Sequence, residues 1–243
     1  MRVPRSAFPN AITLVSGLLG FLAVLRASVG DTAGTVWLLV AAGVLDVADG
    51  SVARLLRAST RFGIELDSLT DLLSFGVAPS LLAYQVGLKD VGVFGAVLAS
   101  LPTLCGAFRL ARFNVELGSA DKNRYTGLPI PPAAVTLCSF LLLETDRSGG
   151  LTPLGRLALP YVVAALSVLM ASRVPYYAVP APSRNGIRSH PVLAALFTLG
   201  ALAMLVTLGR ATFWVMVCFV LSPIGRLVDR RHPPRVDAPP PAP

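Results

Sequence analysis

The chain has 243 residues, 54% of them hydrophobic and only 14% charged, with a net charge of +8. A soluble domain carries about 25% charged residues, so this composition lacks the polar surface to enclose the chain in water, and it excludes disorder, collagen and disulfide scaffolds as well. A mean hydropathy of +0.68 makes lipid the expected solvent, and an arginine excess in so apolar a chain sets membrane topology more readily than it binds nucleic acid.

Arg2 and Arg5 precede the first apolar stretch, 6–25. It is long enough to cross a hydrocarbon core. It runs on without a small-residue cleavage site, so it reads as a retained first helix and not as a signal peptide. Further charge-poor stretches at 33–56, 64–88, 91–112, 128–144, 156–173, 191–209 and 211–228 give about eight transmembrane helices in an all-α integral membrane protein. Prolines punctuate two of these. The run Gly127-Leu128-Pro129-Ile130-Pro131-Pro132 opens the fifth span, where missing amide donors are tolerated. Val174-Pro175-Tyr176-Tyr177 ends the sixth. Residues 1–230 form one polytopic catalytic domain, and 231–243, rich in proline and without an apolar face, form a disordered tail.

With eight spans both termini share one side. Of the 21 basic residues, Arg26, Lys89, Arg147, Arg156 and Arg210 fall on the other side and all the rest on the side of the termini. That bias places both termini in the cytoplasm, in the cell (inner) membrane. Cys105, Cys138 and Cys218 lie far apart in apolar runs and read as small hydrophobes. His190 and His232 are lone loop residues. No internal repeat is visible, which weakens an inverted-repeat transporter.

The informative stretch is 45–79, where Asp46, Asp49, Asp67 and Asp71 interrupt two apolar helices. An acid near the hydrocarbon costs about 2.5 kcal/mol or more, so four together require compensation. At about 100° per residue, Asp46 and Asp49 share one helix face with Gly50 and Ala53. On the next helix Gly63, Asp67 and Asp71 follow at four-residue spacing and form a second stripe. A short basic loop makes the two helices antiparallel neighbours, so the acidic faces can meet near the cytoplasmic side. Oxygen-only donors suit a hard divalent ion, chiefly Mg2+ or Mn2+, one or two in number. The small residues leave room beside it for a nucleotide diphosphate. A single aspartate could be a misplaced helix end; four on two facing stripes are not explained that way. Glu65 points off the stripe and reads as a structural partner for a loop arginine.

Asp46-x-x-Asp49-Gly50-x-x-Ala53-Arg54, eight residues, then Gly63-x-x-x-Asp67-x-x-x-Asp71 resembles the signature of the CDP-alcohol phosphatidyltransferases at every defined position. The resemblance implies displacement of CMP from a CDP-activated lipid by an alcohol, a six-helix core and a homodimer. Pro9-Asn10-Ala11-Ile12-Thr13, Arg109-Leu110-Ala111-Arg112-Phe113-Asn114, residues 127–134 and residues 169–176 resemble segments of the branch that uses serine, the CDP-diacylglycerol–serine O-phosphatidyltransferases. That likeness implies CDP-diacylglycerol and L-serine as substrates.

The roles expected from the resemblance are these. Asp46, Asp49, Asp67 and Asp71 bind the divalent ions, and Asp71 is also the general base on the serine hydroxyl. Gly50, Ala53, Arg54 and Gly63 receive the CDP moiety. Asn10 and Thr13 either lie over the same site or cap the first helix. Arg109 and Arg112, with Asn114, either bind the serine carboxylate or the lipid phosphate or anchor the helix to headgroups. Arg57 and Arg61 are ordinary loop charges. Two rival readings stay open: the same reaction with glycerol 3-phosphate, inositol phosphate or choline as acceptor, and a cation or proton carrier with an intramembrane acidic site.

Overall fold

A computed structural model describes residues 6–56, 58–116, 125–146, 149–176 and 212–223. Helix α1 (Ala7–Ser28) and helix α2 (Thr32–Leu55) are joined by a tight turn in which Gly30 adopts φ +74°. Asp31 ends that turn. Its carboxylate accepts from the Gly34 amide at 2.8 Å, which caps α2, and lies 3.5 Å from Arg26 at the end of α1. Helix α3 (Arg61–Asp71) starts at Thr60, whose hydroxyl accepts from the Gly63 amide at 3.0 Å. The span expected at 64–88 therefore begins three residues earlier, because the Thr60 cap nucleates it.

That span is also not one regular α-helix. A π-helical turn (Leu72–Val77) follows Asp71, then α4 (Ala78–Ala83), then a second π-helical turn (Tyr84–Leu88). Pro79 has no amide hydrogen to give the Phe75 carbonyl, and a wider turn is a way for the chain to continue past it. Across the interface the Thr103 hydroxyl lies 3.1 Å from the Gly76 carbonyl and 2.9 Å from the Ser80 hydroxyl, giving polar partners to this irregular stretch.

Helix α5 (Val93–Glu116) starts after Gly92 (φ +68°) and carries Pro102 in its interior. Helix α6 (Ile130–Glu144) starts behind Pro129, and α7 (Pro153–Ala171) behind a Thr152 cap on the Gly155 amide. Before α6 and after α7 in the chain, β1 (Tyr125–Thr126) and β2 (Pro175–Tyr176) pair antiparallel, Tyr125 opposite Tyr176. Helix α8 (Thr212–Leu221) packs on α6 through the tilted ring pair Phe140–Phe213. The expected span at 191–209 and the proline-rich tail lie outside the described residues.

Four of these helices, α1, α2, α5 and α7, are long and apolar enough to cross a membrane; α6 and α8 are shorter apolar helices. Their polarity is inverted relative to a water-soluble bundle. On α1, Leu14, Leu18, Phe21 and Leu25 face outward, whereas Thr13, Ser16, Gly17 and Gly20 are buried. A helix that shows leucine outside and hides hydroxyls inside has lipid as its solvent. The fold is that of an all-α membrane protein.

The small residues of α1 set how closely its neighbours approach. The Ser16 hydroxyl donates to the Ala42 carbonyl of α2 at 2.9 Å. A Cβ at Gly17 would lie 2.8 Å from the Thr70 methyl, and one at Gly20 would lie 3.1 Å from the Ser74 backbone. Helix α1 thus lies against both acid-bearing helices at once, α2 and the α3 span.

Candidate active site

The two acidic stripes meet as helix periodicity requires. Carboxylate oxygens of Asp46, Asp49 and Asp67 all lie within 4.8 Å of one another. Asp46 comes from the middle of the α2 face and stands beside both Asp67 and Asp71. Asp71 stands one turn deeper than Asp67, against Asp46, and faces the charge of Arg109 on α5. Asp49 is only 5% exposed, and its Oδ2 accepts from the Thr13 hydroxyl at 2.5 Å.

Three carboxylates this close repel one another strongly in a low-dielectric setting. The donor set is oxygen only, with Cys105, Cys138 and Cys218 all on other elements. That chemistry fits a hard divalent cation and not zinc. The acidic triad can hold a metal.

Beside the triad opens a cavity of about 160 Å³. Asp49 and Asp67 form its acidic wall. Gly50, Ala53 and Arg54 of α2, Gly63 of α3, and Asn10 and Thr13 of α1 form the rest, together with Pro9, Ala58, Ser59, Thr60 and Ile64. All six residues expected to receive a CDP moiety therefore line one space. A Cβ at Gly50 would meet nothing nearer than the Arg54 Nη1 at 3.4 Å, so the glycine keeps the cavity open and does not relieve backbone crowding. Arg54 donates to the Ser51 hydroxyl at 3.2 Å and stays exposed at the rim. Asn10 and Thr13 lie inside α1, whose N-cap is Ser6, so helix capping is not what occupies them.

The arginine segment on α5 divides in two. Arg109 is 5% exposed and its guanidinium lies 5.8 Å from the Phe113 ring centroid, on the Asp71 side. Arg112 reaches the other way. Its Nη1 donates to the Ala171 carbonyl at 3.3 Å and its Nη2 to the Ser172 carbonyl at 3.0 Å, at the C-terminal end of α7. Asn114 donates to Glu65 Oε2 at 3.1 Å and to the Ser68 hydroxyl at 3.0 Å. Among the described residues, then, Glu65 has Asn114 as its hydrogen-bond partner where a loop arginine was expected. Glu65 does point off the aspartate stripe.

The two remaining motif segments come together. Gly127 donates to the Val174 carbonyl at 2.9 Å and Leu128 to the Leu169 carbonyl at 3.0 Å. Gly127 has φ +82°, and a Cβ there would press on the Met170 and Ser172 carbonyls and on Arg112. Residues 127–134 and 169–176 thus form one unit, with the Arg112 guanidinium inserted in it. Sequence reasoning missed Thr60, Gly17, Gly20 and Ser68. Of these, only Thr60 carried a local signal, a hydroxyl three residues before Gly63.

The site is thus an acidic triad beside an open cleft in an all-α membrane protein. Comparison with known proteins gives the family. Residues 6–174 match the CDP-alcohol phosphatidyltransferase family model, and the chain belongs to that family. It is 40% identical over 173 residues to a CDP-diacylglycerol–serine O-phosphatidyltransferase of Helicobacter pylori, covering 71% of this chain and 73% of that protein. It is 37% identical over 172 residues to an archaetidylserine synthase of Methanothermobacter thermautotrophicus (70% and 69% covered). With a CDP-diacylglycerol–serine O-phosphatidyltransferase of Mycobacterium tuberculosis it shares 32% over 214 residues (86% and 73% covered).

Proposed function

We propose that the protein transfers the phosphatidyl group of CDP-diacylglycerol to the hydroxyl of L-serine, releasing CMP and forming phosphatidylserine. The reading rests on one arrangement: the Asp46–Asp49–Asp67 triad opens onto the cavity walled by Gly50, Ala53 and Gly63. The names of the relatives support serine as the acceptor.

In this reading Asp46, Asp49 and Asp67, with Asp71 at their inner edge, hold one or two divalent ions, Mg2+ or Mn2+. When bound, such an ion supplies Lewis-acid stabilisation of the pyrophosphate and of the departing CMP. Gly50, Ala53 and Gly63 let the cytidine and ribose approach the helix backbones, and Asn10, Thr13 and Arg54 close over them. Asp71 takes the proton of the serine hydroxyl as the oxygen forms its bond to the β-phosphorus of CDP-diacylglycerol. The bond from that phosphorus to the CMP oxygen breaks, and CMP leaves as a phosphate monoester. Arg109, buried across from Asp71, receives the serine carboxylate or the lipid phosphate as a bidentate donor.

We place the site and both termini on the cytoplasmic side, where the basic residues concentrate, and the working unit is a homodimer. Purified protein given CDP-diacylglycerol, Mg2+ or Mn2+ and labelled serine should produce phosphatidylserine and CMP together. A panel of alcohols run alongside decides the acceptor. CMP release with glycerol 3-phosphate, inositol phosphate or choline but not with serine would keep the reaction and discard this acceptor. Ion flux without CMP release would discard both.

A further inference from the structure

Asn114 sits near the C-terminal end of α5, and its amide is used up on α3. One Nδ2 hydrogen goes to Glu65 Oε2 at 3.1 Å and the other to the Ser68 hydroxyl at 3.0 Å; Ser68 in turn donates to the Ile64 carbonyl at 3.0 Å. Glu65 and Ser68 are three residues apart and so share the α3 face turned toward α5. Ser68 directly follows Asp67. At about 100° per residue, Asp71 falls between the Asp67 direction and the Ser68 direction. That is why Asp71 meets Asp46 on one side and the charge of Arg109 on the other. The two helices run antiparallel, so the Asn114 tie lies one to two turns from the level where Arg109 faces Asp71.

We propose that Asn114, through Ser68 and Glu65, is a positioning residue for the transfer. It locks the rotation and register of α3 against α5, and so holds Asp71 and Arg109 at their working separation. It does this without touching either substrate. A rotation of α3 by a fraction of a turn would swing Asp67 and Asp71 together, because both are on the same short helix. The inference rests on the reading of Asp71 and Arg109 given above.

The test uses the full-length protein in detergent. CMP release with serine is measured first for the unsubstituted protein, because its absence would refute the serine reading and not this one. Asn114→Ala should lower kcat about 10- to 100-fold, the scale of a misplacement of roughly 1 Å at a reacting group. CDP-diacylglycerol binding and the serine KM should stay near their starting values. Ser68→Ala should lower kcat in the same sense. The double variant should be no worse than Asn114→Ala alone, since both act through one contact. Ser68→Thr keeps the acceptor oxygen and should keep kcat. Val115→Ala, an exposed neighbour, is the control. A raised serine KM with intact kcat in Asn114→Ala would make Asn114 a substrate contact and overturn the proposal. So would losses that multiply in the double variant, or full activity in both single variants. Should Asn114→Ala fail to fold, the pair Ser68→Ala and Ser68→Thr decides on the same kcat and KM readouts.

Discussion

The Thr13 hydroxyl on α1 donates to Oδ2 of Asp49 on α2 at 2.5 Å, in a place where both residues are 5% exposed. A residue far outside the aspartate signature therefore orients one of the signature carboxylates. Outer partners of this kind fix which carboxylate oxygen faces the ion. Thr13→Val keeps the shape and removes the donor. It should raise the Mg2+ or Mn2+ concentration needed for half-maximal CMP release about tenfold or more. Thr13→Ser should restore it. An unchanged metal titration in Thr13→Val would mean that Asp49 is oriented by other groups or does not bind the ion.

Asp71 differs from the other three aspartates in what surrounds it. Asp46, Asp49 and Asp67 have oxygens that converge within 4.8 Å, whereas Asp71 lies at the inner edge of that group with Arg109 opposite. A base needs to face the incoming hydroxyl more than it needs to face the ion. Asp71→Asn preserves size and hydrogen bonding but cannot take a proton. Turnover should fall about 1,000-fold, the usual share of a general base, while CDP-diacylglycerol continues to bind. Substantial turnover in this variant would remove Asp71 from the role.

Two glycines, one at the cavity and one at a helix interface, should respond in opposite ways. A Cβ at Gly50 meets only the flexible end of Arg54, at 3.4 Å, whereas a Cβ at Gly20 meets the Ser74 backbone at 3.1 Å and its Cβ at 2.9 Å. Gly50→Leu should leave thermal unfolding in detergent unchanged and weaken CDP-diacylglycerol binding on the order of tenfold or more, by filling the cavity. Gly20→Ala should cost about 1–3 kcal/mol of stability through overpacking between α1 and the α3 span. Its nucleotide affinity, measured on the folded fraction, should be retained. If Gly50→Leu destabilises and still binds, the cavity is not where the nucleotide sits.

How much of this was readable in advance follows from the range of each interaction. The aspartate stripes were legible because helix periodicity alone puts Asp46 beside Asp49 and Asp67 beside Asp71, and a short loop brings the pairs face to face. Helix starts at Asp31, Thr60 and Thr152 follow from local cap chemistry. The π-helical turn after Asp71 was not legible. A proline in an apolar run announces a disturbance but not whether the chain kinks, breaks or widens its turn. Thr13 on Asp49 and Asn114 on Ser68 join residues 36 and 46 positions apart, and only the packing of α1 and α5 against the acid-bearing helices decides them. Arg109 and Arg112 looked alike in sequence. Being three residues apart on one helix, they point in directions about 60° apart, enough to send one to Asp71 and the other to the end of α7.

That divergence is itself testable. The Arg112 guanidinium donates to the Ala171 and Ser172 carbonyls, at 3.3 and 3.0 Å, where α7 ends. Helix C-termini leave carbonyls without amide partners and carry partial negative charge, so a cation there is held by both hydrogen bonding and the helix dipole. Gly127, whose backbone is pinned to Val174, passes so close that no larger residue would leave room for the guanidinium. Arg112→Ala should therefore lower stability by about 2 kcal/mol, read as a lower unfolding temperature in detergent. Arg112→Lys should recover part of it, since a lysine supplies the charge but not the planar fork. Serine KM in the folded protein should stay near its original value. In Arg109→Ala, by contrast, serine KM should rise far more than that for CDP-diacylglycerol. An Arg112→Ala protein with unchanged stability and a raised serine KM would move Arg112 from the helix end into the substrate site.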